Sequence, residues 1–426
     1  MGFGQTFTVA DGESAHNEVF TAWHAPPSSP PAPPGLVSTV YELKNHLSEK
    51  TAEIELAAGT YGLDVLWEYS PSGNVATNGL EISHDVIIRA APEATVILDA
   101  EGMSRVFCIT GGVVKLIGLN ITGGYASWGY LGNEAHTSSG CTQYNEVQPE
   151  GGGICITGGT VSVDSCSIHD NSVGDILNKC RDKESGGGMY IEGGTVTVTD
   201  TNIYSNAADY GGGIFIKGGT VSVDSCSIHD NSFLSVGGGM YIAGAHTVTV
   251  TNSNIYSNTL GAAETAVYVP GVSGGGVFIT GTASTSVSFD GCSIHNNFAE
   301  DGGGVFIHDG TVSFDSCNIH DNEAGFDGGG MSVSGGPVTV TDTNIYSNIA
   351  GVSTGDGKGG GIIFNYHLDS SGRSTHLLNS NIYSNTAFYG GGMYVRGEGL
   401  TTMTTAHIFD NMLSYPDGPT YFGEMG

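Results

Sequence analysis

Residues 158–172 read GGTVSVDSCSIHDNS, and residues 218–232 repeat the same letters without a change. Within the segment, Thr160-Val161-Ser162-Val163 alternates polar and apolar side chains, the period of a strand with one buried side. Working outward, triple glycines begin at 151, 186, 211, 237, 274, 302, 328, 359 and 390. After each come an apolar–X–apolar strand, a T/S-V-x-V strand, and an Ile with an Asn three residues on. The shortest spacings are 25 to 26 residues, and longer ones carry insertions between that Asn and the next glycines, among them 125–150, 173–185 and 259–273. A unit this short cannot bury its apolar side alone, but stacked copies can. The expected fold is all-β, a parallel β-helix with one coil per repeat.

Alternation assigns the faces. Met189 and Ile191 point inward and Tyr190 outward; Val196, Val198, Ile203 and Asn206 point inward. Aligned coils place Asn171, Asn206, Asn231, Asn258, Asn297, Asn322, Asn348, Asn385 and Asn411 in one column. Stacked about 4.8 Å apart, their amides can hydrogen-bond up and down the turn, which argues for a structural role.

The 426 residues include 69 glycines, and 12 basic against 43 acidic residues give a formal charge of −31. Nucleic acid and anionic membranes, which need clustered Lys and Arg, are poor partners for such a chain. A polyuronate, itself a polyanion, is disfavoured too. Glycine follows no G-X-Y period, and no apolar run approaches the ~18 residues of a membrane span. The opening MGFGQTFTVADGE lacks a basic start and an apolar core, so a secreted form implies a leader outside this sequence or already removed.

Four regions are expected. Residues 1–35 are an N-terminal extension ending in the stiff linker HAPPSSPPAPPG, with Phe3, Phe7 and Val9 as an alternating segment able to dock on a neighbouring molecule. Residues 36–125 hold a cap and first irregular coils, with a short amphipathic helix near 38–49 closing the open end. Residues 126–411 are the regular repeats, and 412–426 form a C-terminal tail.

The GGG[IMV] and I-x-x-N elements resemble the GGA[ILV] and FxxN repeats of chlamydial polymorphic outer-membrane proteins. The opening AAGTYGL…VIIRA…TVILDAEG is similar to the start of right-handed parallel β-helices of the pectin-lyase-like superfamily. The resemblance implies a right-handed β-helix with a short N-terminal capping helix. It leaves function open, because the fold hosts many.

Many relatives of that fold act on polysaccharides. Polygalacturonase-type N-T-D, D-D, G-H-G and R-I-K segments are absent, and basic residues such as Lys217, Arg373 and Arg396 share no column. Asp170, Asp230, Asp321 and Asp410 do share one, but they follow the repeat rather than break it. The pairs His169-Asp170, His229-Asp230 and His320-Asp321 are neighbours on a strand and are expected to diverge. No catalytic, cofactor or metal site is therefore expected, although the acidity could recruit calcium between subunits.

Two outward columns stand out. One includes Tyr190, Phe215, Tyr241, Phe278, Phe306 and Tyr394, read as a candidate interaction stripe; the other runs from His169 to Phe409. Cys108 with Cys155, and Cys141 with Cys180, sit at equivalent places in successive coils and are disulfide candidates, favouring an oxidising compartment. Cys166, Cys226, Cys292 and Cys317 share an inward column; free thiols are expected at the first two, while the adjacent Cys292 and Cys317 are left open.

The resulting expectation is a non-enzymatic extracellular or cell-surface protein with a structural or adhesive role. It would associate with itself or with other surface proteins, a filament subunit being one form, and glycans are a further partner class. Alternatives are a carbohydrate-binding or polysaccharide-degrading enzyme, and an ice-binding protein using arrays such as Thr195/Thr197/Thr199.

Overall fold

The computed structural model describes residues 35–63, 79–126, 150–174, 185–244, 247–261, 272–282, 284–353, 355–366, 374–397, 400–414 and 421–422. Most of the N-terminal extension and the pair Cys141 and Cys180 lie outside them.

Among the described residues three long parallel sheets stack coil on coil, and each coil after the first contributes one strand to each. The Val sheet has 12 strands, from Glu53–Leu56 to Leu400–Thr404. The glycine sheet has 11, from Leu80–Ile82 to Met393–Arg396, and the Ile sheet 12, from Gly59–Gly62 to His407–Phe409. Two short sheets of 5 and 6 strands follow the asparagines. Register is kept from coil to coil in the Val sheet: Thr160, Val161 and Ser162 pair with Thr195, Val196 and Thr197, which pair in turn with Thr220, Val221 and Ser222. One apolar core runs up the axis, from Leu43 to Ile382.

Backbone conformation explains the repeat motif. Asp170, Ser205, Asp230, Ser257, Asn296, Asp321, Ser347, Ser384 and Asp410 all take φ of 52–54°. This left-handed region suits Asp, Asn and Ser better than branched residues, so the corner admits few residue types. The next residue is the inward Asn. Asn206 Oδ1 accepts both the N–H and the Nδ2 of Asn171, at 3.1 and 3.0 Å, and Asn206 Nδ2 donates to Ile168 O at 2.9 Å. The same contacts continue coil by coil to Asn411.

The triple glycine is shaped by that ladder. Its first residue turns the chain with positive φ, 63° at Gly211. Its third leaves room for the amide: a Cβ on Gly213 would lie 2.6 Å from Gly239 O and 3.0 Å from Asn231 Nδ2.

The helix at Val40–Ser48 closes the N-terminal end. Thr39 and Glu42 form a capping box, and Val40, Leu43 and Leu47 enter the core. At the other end Met412–Leu413 pairs antiparallel with Tyr421–Phe422. One insertion departs from the expected position. In sequence, eight residues separate the glycine-sheet strand Ile362–Asn365 from the Val-sheet strand Ser374–Leu378, where only three separate Ile307 from Thr311.

Candidate functional site

The outer surface of the glycine sheet carries three columns. At the corner before the glycines stand Glu150, Ser185, Tyr210, Val236, Ser273, Asp301, Asp327, Lys358 and Tyr389. At the strand centre stand Cys108, Cys155, Tyr190, Phe215, Tyr241, Phe278, Phe306, Ser332, Ile363 and Tyr394. Beyond it the strand ends include Lys217, His308, Ser334, Asn365 and Arg396, so Lys217 and Arg396 share a column that the sequence reading denied them.

The central column is a ring stack and less open than the expected stripe. Tyr190 and Phe215 are 1% and 8% exposed, and Tyr241, Phe278, Phe306 and Tyr394 are half-buried. In-register pairing sets each ring about one strand spacing from the next, so the rings cover one another. Tyr190 and Phe215 stack at 5.4 Å, Phe215 and Tyr241 meet edge-on at 4.6 Å, and Phe278 and Phe306 stack at 5.2 Å.

The stack stops at Ser332. Where the next ring would lie there is a depression of about 300 Å³, lined by Asp301, Phe306, His308, Asp327, Ser332, Ser334, Ile363 and Asn365. Two carboxylates from successive coils enter it. Asp301 Oδ1 accepts the N–H of Asp327 at 3.2 Å; Asp327 Oδ1 accepts the N–H of Lys358 at 2.8 Å and faces Lys358 Nζ at 3.6 Å. Burial pushes the Asp301 carboxyl up to about 6; the Asp327 N–H opposes the shift, and the charges of Asp327 and Glu300 add to it. Asp327 is also raised by burial, against the pull of Lys358. Asp301 thus exchanges a proton close to neutrality, beside a carboxylate with its own cation, in a gap floored by an aromatic ring.

Phe306 belongs to the expected interaction stripe, but neither carboxylate was anticipated as a site residue. The signal was present: Asp precedes the triple glycine only at 301 and 327, and Ser332 replaces a large side chain in the central column. Both break the repeat.

The other expected sites fall elsewhere. Cys108 and Cys155 pair in register, yet both thiols are free, so the expected bridge is corrected. In-register parallel strands hold the two Cβ atoms as well as the two Cα atoms about 4.8 Å apart, and a disulfide, which accepts that Cα separation, draws the Cβ atoms to about 3.5–4.5 Å. Within the pair, hydrogen bonding from Cys155 lowers the Cys108 thiol, against the opposing effect of its burial. Cys166, Cys226, Cys292 and Cys317 are buried free thiols.

The His-Asp neighbours also differ from expectation. His169, His229 and His320 each bond the following Asp through Nδ1, at 2.8, 2.7 and 2.7 Å. The left-handed corner at the Asp turns its carboxylate back onto the preceding ring. The nine rings from His169 to Phe409 stack continuously, with centroids 4.7 to 5.1 Å apart. Among the described residues no group of three or more His, Cys, Asp or Glu is arranged to hold a metal ion.

The family described as the right handed beta helix region matches residues 104–283. The chain is a right-handed parallel β-helix. No curated protein matches it. Among solved structures, pectate lyase Pel9A is similar at 15% identity over 83% of this chain and 69% of that one, with a TM-score of 0.38. The A-module of the mannuronan C-5 epimerase AlgE4 of Azotobacter vinelandii is similar at 11% identity, over 86% of this chain and all 100% of that one, with a TM-score of 0.45. A variant of the periplasmic alginate epimerase AlgG is similar at 10% identity, over 86% and 89% of the two chains, with a TM-score of 0.37. The expectation of a non-enzyme is corrected on this finding: β-helices similar to the chain include a lyase and two epimerases. At these identities the likeness is one of fold. Among the described residues no helix is long and apolar enough to cross a membrane.

Proposed function

We propose that the glycine-sheet face of this β-helix binds a polysaccharide outside the cytoplasm and cleaves it at Asp301 and Asp327. One observation carries the reading: the ring stack ends at Ser332, and two carboxylates with raised proton affinity face the gap. Phe306 offers a flat apolar surface to a sugar ring, and Ser334 and Asn365 offer hydroxyl and amide partners. Protonated Asp301 gives its proton to the glycosidic oxygen as the bond to the anomeric carbon breaks. Asp327, beside Lys358, faces the positive charge that develops there. Water adds to that carbon and returns a proton to Asp301, so the net change is hydrolysis. The test is release of reducing ends from a panel of plant, algal and microbial polysaccharides. Asp301→Asn should abolish release while binding persists; unsaturated ends, or turnover indifferent to Asp301, would overturn the assignment.

A second reading, self-association, rests on the C-terminal end. In the last coil Val395, Met403 and Phe409 are 45%, 41% and 43% exposed, whereas Phe364 and Leu377, one coil earlier beneath the first two, are buried. Among the described residues no further coil covers these strands, and strand edges of that kind are templates for another chain. Light scattering across a concentration series should show a dimer that Met403→Lys dissolves; a monomer at every concentration excludes it.

A further inference from the structure

We infer that the polymer taken by this face is an amino-sugar glycan, its ammonium groups received at Asp327 beside the ring held on Phe306. The inference rests on the reading of the glycine-sheet face as a polysaccharide site and adds the charge of the substrate. Carboxylates dominate the depression. Asp301 feels the negative charges of Asp327 and Glu300, and Asp327 feels that of Asp356, while Lys358 is the cation acting on both. Arg396 follows Asn365 one coil on and is exposed. The contacts to Asp327 from Lys358 both reach Oδ1, which leaves Oδ2 to a ligand.

Two carboxylates held about one strand spacing apart repel, and partial burial strengthens the repulsion. An arriving ammonium relieves it; an arriving carboxylate adds to it. The charge of −31 over the whole chain acts in the same sense at longer range. In a 2-amino sugar the ammonium sits on the carbon next to the anomeric centre. Asp327 can therefore hold the amine while Asp301, one coil away, reaches the glycosidic oxygen. N-acetylation removes the charge and keeps the ring, so the contrast isolates this contact.

The decisive comparison uses the full chain, with binding of glucosamine hexamers, N-acetylglucosamine hexamers and oligogalacturonate measured by calorimetry at low and high salt. We expect the amine form to bind at least tenfold more tightly than the acetylated form. The preference should shrink in high salt, and Asp327→Asn should abolish it. Oligogalacturonate should not bind. Equal affinity for the amine and acetylated forms, or tighter binding of oligogalacturonate, overturns the inference and leaves the polysaccharide reading standing. Failure to bind any of these, or any neutral glycan in the wider panel, overturns both.

Discussion

Asn231 Nδ2 donates to Asn258 Oδ1 at 3.0 Å, across 27 residues of sequence and a single coil of the fold. Asn231 Oδ1 accepts two bonds from Asn206, each 3.1 Å, and Asn231 Nδ2 also donates to Ile203 O at 3.0 Å. One fully buried side chain thus satisfies groups in the coils on both sides of its own.

Asn231→Ala orphans the donors of Asn206 and the carbonyl of Ile203 together. Given the usual penalty for unmade buried hydrogen bonds, the loss should be about 2–4 kcal/mol. Asn411→Ala, at the end of the ladder, should lose less. Urea denaturation followed by circular dichroism measures both, and equal midpoints would contradict the account.

Gly213→Ala should be far worse than Gly111→Ala. The first Cβ would sit 2.6 Å from Gly239 O and 3.0 Å from Asn231 Nδ2, whereas the second meets only Ser83 O at 3.9 Å. Overpacking of this kind costs about 1–3 kcal/mol, and here the ladder must shift as well. Thermal melts of the two variants give the comparison.

Ser332→Phe should continue the stack onto Phe306 and close the depression beside Asp301. An added aromatic pair contributes about 0.5–1.5 kcal/mol, so the variant should melt higher while losing polysaccharide binding. Unchanged binding would show that the glycan does not enter this gap.

Stability should vary with pH through Asp301. Its carboxyl lies near 6 in the fold against 3.8 for the ordinary group, so the folded state holds the proton more tightly than the unfolded chain. The associated stability is complete below about pH 4 and is lost as pH rises through 6. Asp301→Asn should therefore raise the melting temperature at pH 7.5, and the gain should vanish by pH 4. A gain independent of pH would refute the linkage.

His295 works in the opposite direction. Burial, with the adjacent His320, lowers its proton affinity, while Asp321 pulls the other way. Stability from this group is present above about pH 6.5 and falls on acidification, as the unfolded chain takes up the proton first. Tyr256 and His320 stack on its two faces at 5.0 and 4.9 Å, so His295→Tyr keeps the stack and removes the charge. Melting temperatures from pH 7.5 to 5 should fall less for the variant than for the native chain.

Much of the architecture was legible because a β-helix repeats one local problem. Each coil must turn at a left-handed corner, bury an amide and clear space beside it, so Asp or Ser, then Asn, and later three glycines recur in a readable rhythm. Residues such as Val196, Ile203 and Asn206 follow from alternation and that rhythm without any tertiary information. The site did not follow from it. Asp301 and Asp327 are 26 residues apart and become neighbours only when the coils stack; their proton affinity comes from burial, which no spacing reports. Likewise the His169-Asp170 contact depends on a backbone angle at Asp170, and the free thiols of Cys108 and Cys155 on the distance between parallel strands. Local chemistry chose the coil, whereas the stacking of coils decided which side chains meet, how deeply they are buried and where one missing ring leaves room for a ligand.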